Sequence, residues 1–128
     1  MKEVILLFQF DKPKQQKLLR CLLPLKIRVK TVEPQDYGKT LGYLAGIPEP
    51  ESQETAEAEP ENMVLPGEML VMAGLTSERI DQVLAAIRRS GIGPLPYKAV
   101  LTDTNRNWNA PTLLAELMRE HESMRRRE

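Results

Sequence analysis

The sequence predicts an α/β (α+β) fold in which two tandem β-α-β-α units form one ferredoxin-like, four-stranded sheet with extra capping helices. Two apolar runs typical of buried strands, at residues 3–10 and 68–75, each open one half of the chain. Each run is followed by an amphipathic helical stretch and then by a more polar strand, the order of a β-α-β unit. A small doubly wound parallel sheet is the alternative.

Length and composition set the class of protein. A chain of 128 residues is long enough to bury a core without disulfides or metal, and it predicts one domain. The formal net charge is zero, so no general attraction to nucleic acid or anionic lipid is expected. The single cysteine fits a reducing compartment, and Asp11 interrupts the first apolar run too soon for a signal peptide or membrane span. We therefore expect a cytoplasmic protein without membrane association.

The first half predicts a strand, a helix, a second strand and a short helical piece. Asp11 is placed to cap the first helix, and Pro24 is expected to end it. The apolar face of this helix is predicted to contain four leucines: Leu18, Leu19, Leu22 and Leu23. Residues 26–32 alternate basic side chains with apolar or small ones, which is typical of a half-exposed edge strand. Residues 34–46 predict a turn and the short helical piece.

The second half repeats this order. Thr76 or Ser77 can cap the helix that follows the second apolar run, and Gly91 stands where a left-handed C-cap is expected. An amphipathic stripe marks that helix: Ile80, Val83, Leu84 and Ile87. Residues 96–102 predict the more polar strand. A final helix is predicted from about Pro111, with one side made of Leu113, Leu114, Leu117, Met118 and His121.

The correspondence between the halves predicts an internal duplication, in which Tyr37 matches Trp108 and Thr40 matches Thr112. The first and third strands should be central because they are the most apolar. The first strand is apolar on both faces, which a sheet covered on one side does not require. Either the extra helices or a partner, such as the second subunit of a homodimer, must therefore cover the second face.

Charge divides the chain into three parts. Lys and Arg outnumber Asp and Glu by nine to four in residues 1–39 and by nine to six in residues 79–128, whereas residues 40–78 hold eight acidic residues and no basic one. The acidic block is concentrated in residues 48–62, whose composition predicts a flexible linker. We therefore divide the single domain into residues 1–47, the linker 48–62, and residues 63–128.

A polar cluster surrounds the only Trp, in the stretch TDTNRNWNAP. Asn and Asp favour turns, Asn109 can cap the last helix, and Pro111 is permitted in its first turn. This structural interpretation accounts for the whole cluster. A ligand site is the other interpretation, because loops that follow strands often bind ligands in α/β proteins.

The second half also resembles a known family. Lys98, Thr102, Asn105, Trp108 and Glu120 occur in order, with a T-x-x-N-x-x-W spacing, in a span similar to an uncharacterised bacterial family, the domain of unknown function DUF3783. The resemblance implies a small cytoplasmic bacterial protein and carries over no activity. It makes these five residues the candidate binding residues. The first half departs from the pattern, because Tyr37 replaces the Trp.

Other sequence signals for chemistry are weak. No Gly-rich phosphate loop occurs, and the neighbours of His121 do not share its helical face, so neither a cofactor nor a metal site is predicted. Cys21 lies on the leucine face and is interpreted as a core residue, since no nearby base is specified. No catalytic residue is assigned.

Three functions fit these observations. The first is a non-enzymatic regulatory or protein- or ligand-binding domain, in which the polar loop with Lys98 receives a small anion or a peptide. The second is a small enzyme with its site at the loop from Thr102 to Trp108, using Asn105 as donor and Lys98 as electrostatic stabiliser. The third, binding of nucleic acid through the basic ends, is the least favoured.

Overall fold

The computed structural model describes residues 2–47 and 64–126. The predicted linker, residues 48–62, lies outside the described residues. The elements are β1 (Val4–Phe8), α1 (Lys12–Leu22), β2 (Arg28–Val32), α2 (Leu41–Ala45), β3 (Met69–Ala73), α3 (Ser77–Ser90), β4 (Lys98–Val100) and α4 (Ala110–Arg126). Three short 3-10 helices lie at Leu23–Leu25, Pro34–Asp36 and Asn105–Asn107. The order of helices and strands is therefore β-α-β-α on each side of residues 48–62.

The four strands form one mixed sheet in the order β2-β1-β3-β4. β1 runs parallel to β2, β3 runs parallel to β4, and the central pair β1 and β3 is antiparallel. The register places Val4 beside Arg28 on one side and beside Ala73 on the other. The prediction that the two most apolar strands are central is confirmed.

The ferredoxin-like order is not confirmed. In that fold the two parallel strands of each β-α-β unit are split by another strand. Here β2 lies directly beside β1, and β4 directly beside β3. The doubly wound alternative does not fit either, because β1 and β3 are antiparallel. The fully buried strands β1 and β3 pair at the centre in either order, so their burial does not choose between the two. The orders differ in the edge strands, because β2 and β4 each pair with the first strand of their own unit and not with that of the other.

Helices cover both faces of the sheet. Leu18 and Leu22 of α1 and Val83 of α3 pack with Ile5 and Leu7 on one face. The opposite face carries Val4, Leu6 and Phe8, and its core is completed by residues of α2 and α4: Leu41, Leu44, Ala110, Leu113 and Leu114. The second face predicted from β1 is thus covered by the chain's own extra helices. The sheet itself therefore gives no argument for a covering partner.

Local signals set most of the helix ends. The Asp11 carboxylate accepts from Lys14 N at 2.9 Å, and the Thr76 hydroxyl accepts from Arg79 N at 3.2 Å, so Thr76 rather than Ser77 is the cap. Gly91 ends α3 with φ of +77°, as predicted. Pro24 ends α1 only in part, because a 3-10 helix continues through it.

The leucine face of α1 is narrower than predicted. Leu18 and Leu22 are fully buried, whereas Leu19 and Leu23 are 43% and 73% exposed. Both pairs have the same spacing, so periodicity alone could not separate them. The side that packs against α3 decides which pair is buried.

The alignment of the two halves is also corrected at one position. The Asn109 side chain accepts from Thr112 N at 3.0 Å and caps α4, as the Thr40 hydroxyl caps α2 by accepting from Tyr43 N at 3.3 Å. The structural counterpart of Thr40 is therefore Asn109 and not Thr112. Tyr37 and Trp108 each follow a 3-10 helix as its C-cap, but Tyr37 has a helical backbone and Trp108 an extended one.

Candidate functional site

A cleft of about 870 Å³ opens at one end of the sheet. Because β1 and β3 are antiparallel, the starts of β1 and β2 lie at the same end as the C-termini of β3 and β4. Lys2, Glu3 and Val4 form one part of the lining, and Arg28 at the start of β2 lies beside them. Val4 belongs to the core beneath α2 and α4, so the cleft opens towards that face.

Two further segments complete the walls. The C-terminal end of α2 contributes Ala45, Gly46 and Ile47, and the loop after β4 contributes Leu101, Thr102, Asp103 and Arg106. Gly46 adopts φ of +93° and ends α2, while Ile47 N donates to Gly42 O at 2.9 Å. This cap satisfies the last carbonyls of a helix of only five residues and fixes Ile47 at the edge of the cleft.

Asn105 holds the loop that carries Arg106. Its side-chain oxygen accepts from Thr102 N at 2.8 Å, its Nδ2 donates to Val100 O at 3.1 Å, and its own N–H donates to the Thr102 hydroxyl at 3.1 Å. With 8% of its surface exposed, Asn105 uses both ends of its amide inside the loop. It acts as a local brace, and Arg106 N extends the brace by donating to Thr102 O at 3.0 Å.

Close packing between α2 and this loop positions Arg106. A Cβ atom added to Gly42 would lie 3.1 Å from Arg106 O and 3.4 Å from Arg106 Cβ. Glycine at this position therefore lets α2 approach the backbone of the 3-10 helix. Residues from both halves of the chain meet here, so the cleft lies at their junction.

The charges of the lining are unequally satisfied. The Glu3 carboxylate pairs with Arg79 of α3 at 2.9 Å, and this hydrogen bond holds the pKa of Glu3 below its ordinary value. Asp103 is fully exposed and lies 4.0 Å from Arg106 Nη1, a distance at which an exposed pair contributes little. Lys2 and Arg28 form no ion pair with the described residues. The cleft thus carries an excess of unpaired positive charge.

Arg106 is the most constrained of these cations. Its Nε is buried and finds no hydrogen-bond acceptor among residues 2–47 and 64–126. An unpaired buried donor costs about 1–3 kcal/mol, and such a group in a folded protein calls for an explanation. The Arg106 side chain as a whole is 31% exposed, so an anion in the cleft can reach its Nη groups, and a rotation of the guanidinium would bring Nε to the same anion.

Of the candidate residues predicted from the sequence, only Thr102 lines the cleft. Asn105 braces the loop instead. Trp108 is half-buried against the core below α4, and its backbone accepts from Leu41 N at 2.8 Å. The polar cluster around the Trp is therefore, in its hydrogen bonds, the turn and cap that the structural interpretation predicted.

Lys98 and Glu120 do not join these residues. Lys98 donates through Nζ to Leu95 O and lines a separate cavity of about 190 Å³ together with Ile87 and Arg88. That cavity belongs to the α3 side of the sheet, whereas Trp108 packs on the α4 side. Glu120 is exposed on α4. The geometry does not bring the five candidate residues to a common point.

In the part of the chain that the structure describes, neither Cys21 nor His121 stands in a catalytic arrangement. Burial raises the pKa of the Cys21 thiol, whose Sγ contacts Leu18 O at 3.4 Å, so a thiolate nucleophile is disfavoured. His121 is exposed and makes an edge contact with the Tyr97 ring at 5.9 Å between centroids. Within the described residues, no three His, Cys, Asp or Glu side chains group together to hold a metal ion.

Three residues of the cleft were missed by sequence reasoning: Lys2, Arg28 and Arg106. The alternation around Arg28 indicates only an edge strand protected by charge, and Arg106 stands among turn-forming residues. Their proximity depends on the pairing of β1 with β3, which no local spacing reveals. The strongest available signal was the excess of basic residues at both ends of the chain.

Comparison with known proteins agrees with the resemblance over the second half. Residues 68–124 match the family described as Domain of unknown function (DUF3783), which confirms the family expected from Lys98, Thr102, Asn105, Trp108 and Glu120. No curated protein and no solved structure matches the chain. The matched region runs from β3 to α4 and so includes the Arg106 wall of the cleft, whereas β1, β2 and α2 lie outside it. Across residues 2–47 and 64–126, none of the helices combines the length and apolar character that a membrane crossing needs.

Proposed function

We propose that the chain is a non-enzymatic ligand-binding domain of a bacterial cytoplasmic protein, with a regulatory role, and that its cleft binds a small anion. The observation that carries the proposal is the position of Arg106: its backbone belongs to the braced loop, and its side chain lines a cleft of about 870 Å³ and keeps a buried Nε that lacks an acceptor. Arg28 and Lys2 on the opposite wall add positive charge. The volume falls in the range of pockets that bind small molecules.

The location of the cleft supports a regulatory role. One wall comes from β1, β2 and α2, and the other from the loop between β4 and α4. An anion that contacts Arg28 and Arg106 together would link the two halves and stabilise their junction. We further propose that the halves arose by duplication, which is supported by their shared order of elements and by the equivalent caps Thr40 and Asn109.

The geometry favours binding over catalysis. The alternative enzyme requires Asn105 as a free hydrogen-bond donor, but its Nδ2 is used by Val100 O and its oxygen by Thr102 N. Lys98, the proposed stabiliser, lies with α3 on the other side of the sheet. The nucleic-acid alternative and a homodimer gain no specific support from the described residues.

A calorimetric titration of the full chain tests the proposal. Inorganic phosphate, succinate and hexanoate are the probes, at low salt and again at about 0.5 M NaCl. We expect at least one probe to bind with 1:1 stoichiometry, and binding to weaken at high salt because the interaction is partly electrostatic. Arg106→Gln should weaken binding at least tenfold, and Arg106→Lys should weaken it less because the charge is kept.

The matched control is Arg89→Gln. Arg89 is exposed on α3 and does not line the cleft, so this variant loses the same charge without touching the proposed site. It should bind as the wild type does. The proposal is wrong if no probe binds, or if Arg106→Gln and Arg89→Gln have equal effects.

A further inference from the structure

We infer that the ligand of the cleft is an aliphatic acid, a single carboxylate head group on an extended hydrocarbon body. This inference rests on the proposed function and specifies its ligand class. It comes from three properties of the same lining: its apolar side chains, its modest excess of charge, and its lack of features that recognise phosphate or bases.

The apolar part of the lining is too large for an inorganic ion. Val4, Ala45, Ile47 and Leu101 come from three different segments and line the same cleft as the cations. Val4 is almost fully buried in the core below, and Ala45 and Leu101 pack against that core. A bare anion would leave this surface in contact with water, whereas a hydrocarbon chain would bury it.

The charged part of the lining fits one carboxylate. Arg106 offers the planar fork that binds a carboxylate through two parallel hydrogen bonds. Glu3 is already neutralised by Arg79, but Asp103 remains near Arg106, which reduces the net charge around it. Lys2 and Arg28 are solvent-exposed and need no charge from a ligand, so a single carboxylate is enough for Arg106, the least exposed cation of the lining.

Features that would indicate a nucleotide or a phosphate ester are missing from this site. The described lining contains no aromatic side chain on which a base could stack. The helix end that borders the cleft is the capped C-terminus of α2, so within the described lining no α-helix N-terminus offers backbone amides to a phosphate group. Arg106 rather than a helix N-terminus must therefore hold the head group, and the hydrocarbon body extends towards Ile47 and Ala45.

A chain-length series tests the inference on the full protein. Acetate, butyrate, hexanoate and octanoate are titrated by calorimetry, with inorganic phosphate and 1-octanol as the comparison probes. Each added methylene should tighten binding by up to about fourfold where it is fully buried, and by less where it stays partly exposed. Octanoate should exceed acetate at least thirtyfold, and 1-octanol should bind much more weakly than octanoate because it lacks the charge.

Two variants separate the head-group contact from the chain contact. Arg106→Gln should weaken every acid by a similar factor, whereas Ile47→Ser should flatten the dependence on chain length and leave acetate unchanged. Leu23→Ser is the matched control for non-specific binding of the hydrocarbon, because Leu23 is an exposed leucine outside the cleft. Its chain-length dependence should equal that of the wild type.

The outcomes distinguish this inference from the proposed function. If acetate or phosphate binds as tightly as octanoate and Arg106→Gln abolishes binding, the ligand class is wrong and the anion site stands. If no acid and no phosphate binds, both fail. If octanoate binds but Leu23→Ser weakens it as much as Ile47→Ser does, the hydrocarbon does not occupy the cleft and the inference is overturned.

Discussion

Thr40 and Asn109 are paired across the junction of the two halves by an isolated antiparallel bridge. Leu41 N donates to Trp108 O at 2.8 Å, and Ala110 N donates to Tyr37 O at 3.3 Å. Each residue of the bridge also caps a helix, α2 or α4, with its side chain. The first turns of two helices that cover the same face of the sheet are therefore fixed to each other, and the Trp loop is fixed with them.

Removal of these caps should lower the free energy of unfolding. Thr40→Ala should cost about 1–2 kcal/mol and Asn109→Ala about 1 kcal/mol, with the larger value for Thr40 because its side chain is buried. Urea unfolding followed by circular dichroism measures both. Thr112→Ala is the control and should change stability by less than about 0.5 kcal/mol, since Thr112 is exposed and its hydroxyl caps nothing in the described structure. A larger effect from Thr112→Ala would instead support the match of Thr40 with Thr112.

Asn105 should behave as a structural brace. Asn105→Ala leaves Val100 O and Thr102 N without their partner, so we expect a loss of about 2 kcal/mol in the free energy of unfolding. Asn107→Ala in the same 3-10 helix removes an exposed amide and should change stability by less than about 0.5 kcal/mol. Equal stability of the two variants would contradict the hydrogen-bond assignment and return Asn105 to the set of binding residues.

Gly42 should control the position of Arg106. Gly42→Ala places a methyl group 3.1 Å from Arg106 O, so α2 and the loop must separate, at a cost of about 1–2 kcal/mol and with weaker anion binding. Gly91→Ala is matched in cost, about 1–2 kcal/mol, because Gly91 has a positive φ. It lies at the end of α3 and should leave binding unchanged. Both variants are titrated with hexanoate by calorimetry. Equal affinities of Gly42→Ala and Gly91→Ala for hexanoate would contradict this role of Gly42.

The ion pair of Glu3 and Arg79 should make stability depend on pH in the acidic range. The hydrogen bond from Arg79 lowers the pKa of Glu3 in the folded chain. The pair therefore stabilises the fold fully at any pH above the pKa of Glu3 in the unfolded chain. This stabilisation is lost as the pH falls through the lower pKa of Glu3 in the folded chain. Glu3→Gln should therefore be less stable than the wild type near pH 7, and the difference should vanish in strong acid. Urea midpoints measured from neutral to acidic pH test this. Glu33→Gln, which removes an exposed carboxylate outside the cleft, is the control.

Local patterns predicted the parts of the fold that depend on local physics. Side chains within a few positions along the chain determine three of these features: the burial of β1 on both faces, the cap at Asp11 and the left-handed backbone at Gly91. The order of the strands does not, because adjacency of β1 with β2 and with β3 depends on which long-range pairing buries the most apolar surface. The error at Leu19 and Leu23 has the same origin, since only packing against the sheet and α3 distinguishes their side of α1 from the side of Leu18 and Leu22.

The candidate site was harder to predict than the fold. Lys98 and Trp108 are ten positions apart, but the alternation along β4 and the following loop direct them to opposite faces of the sheet. Arg28 and Arg106 line one cleft although almost eighty residues separate them. The polar residues that cluster in the sequence around Trp108 thus form a turn. The unpaired cations Arg28 and Arg106 come to one cleft only through the tertiary structure.

The most direct test of the central claim is a map of backbone amide shifts during a titration of the isotope-labelled chain with hexanoate. The account predicts saturable shifts concentrated at Gly46, Ile47, Thr102 and Arg106, with the same mid-point at each amide and no such shifts in Arg106→Gln. Shifts confined to Ile87, Arg88 and Lys98, or saturation that is unaffected by Arg106→Gln, would contradict it.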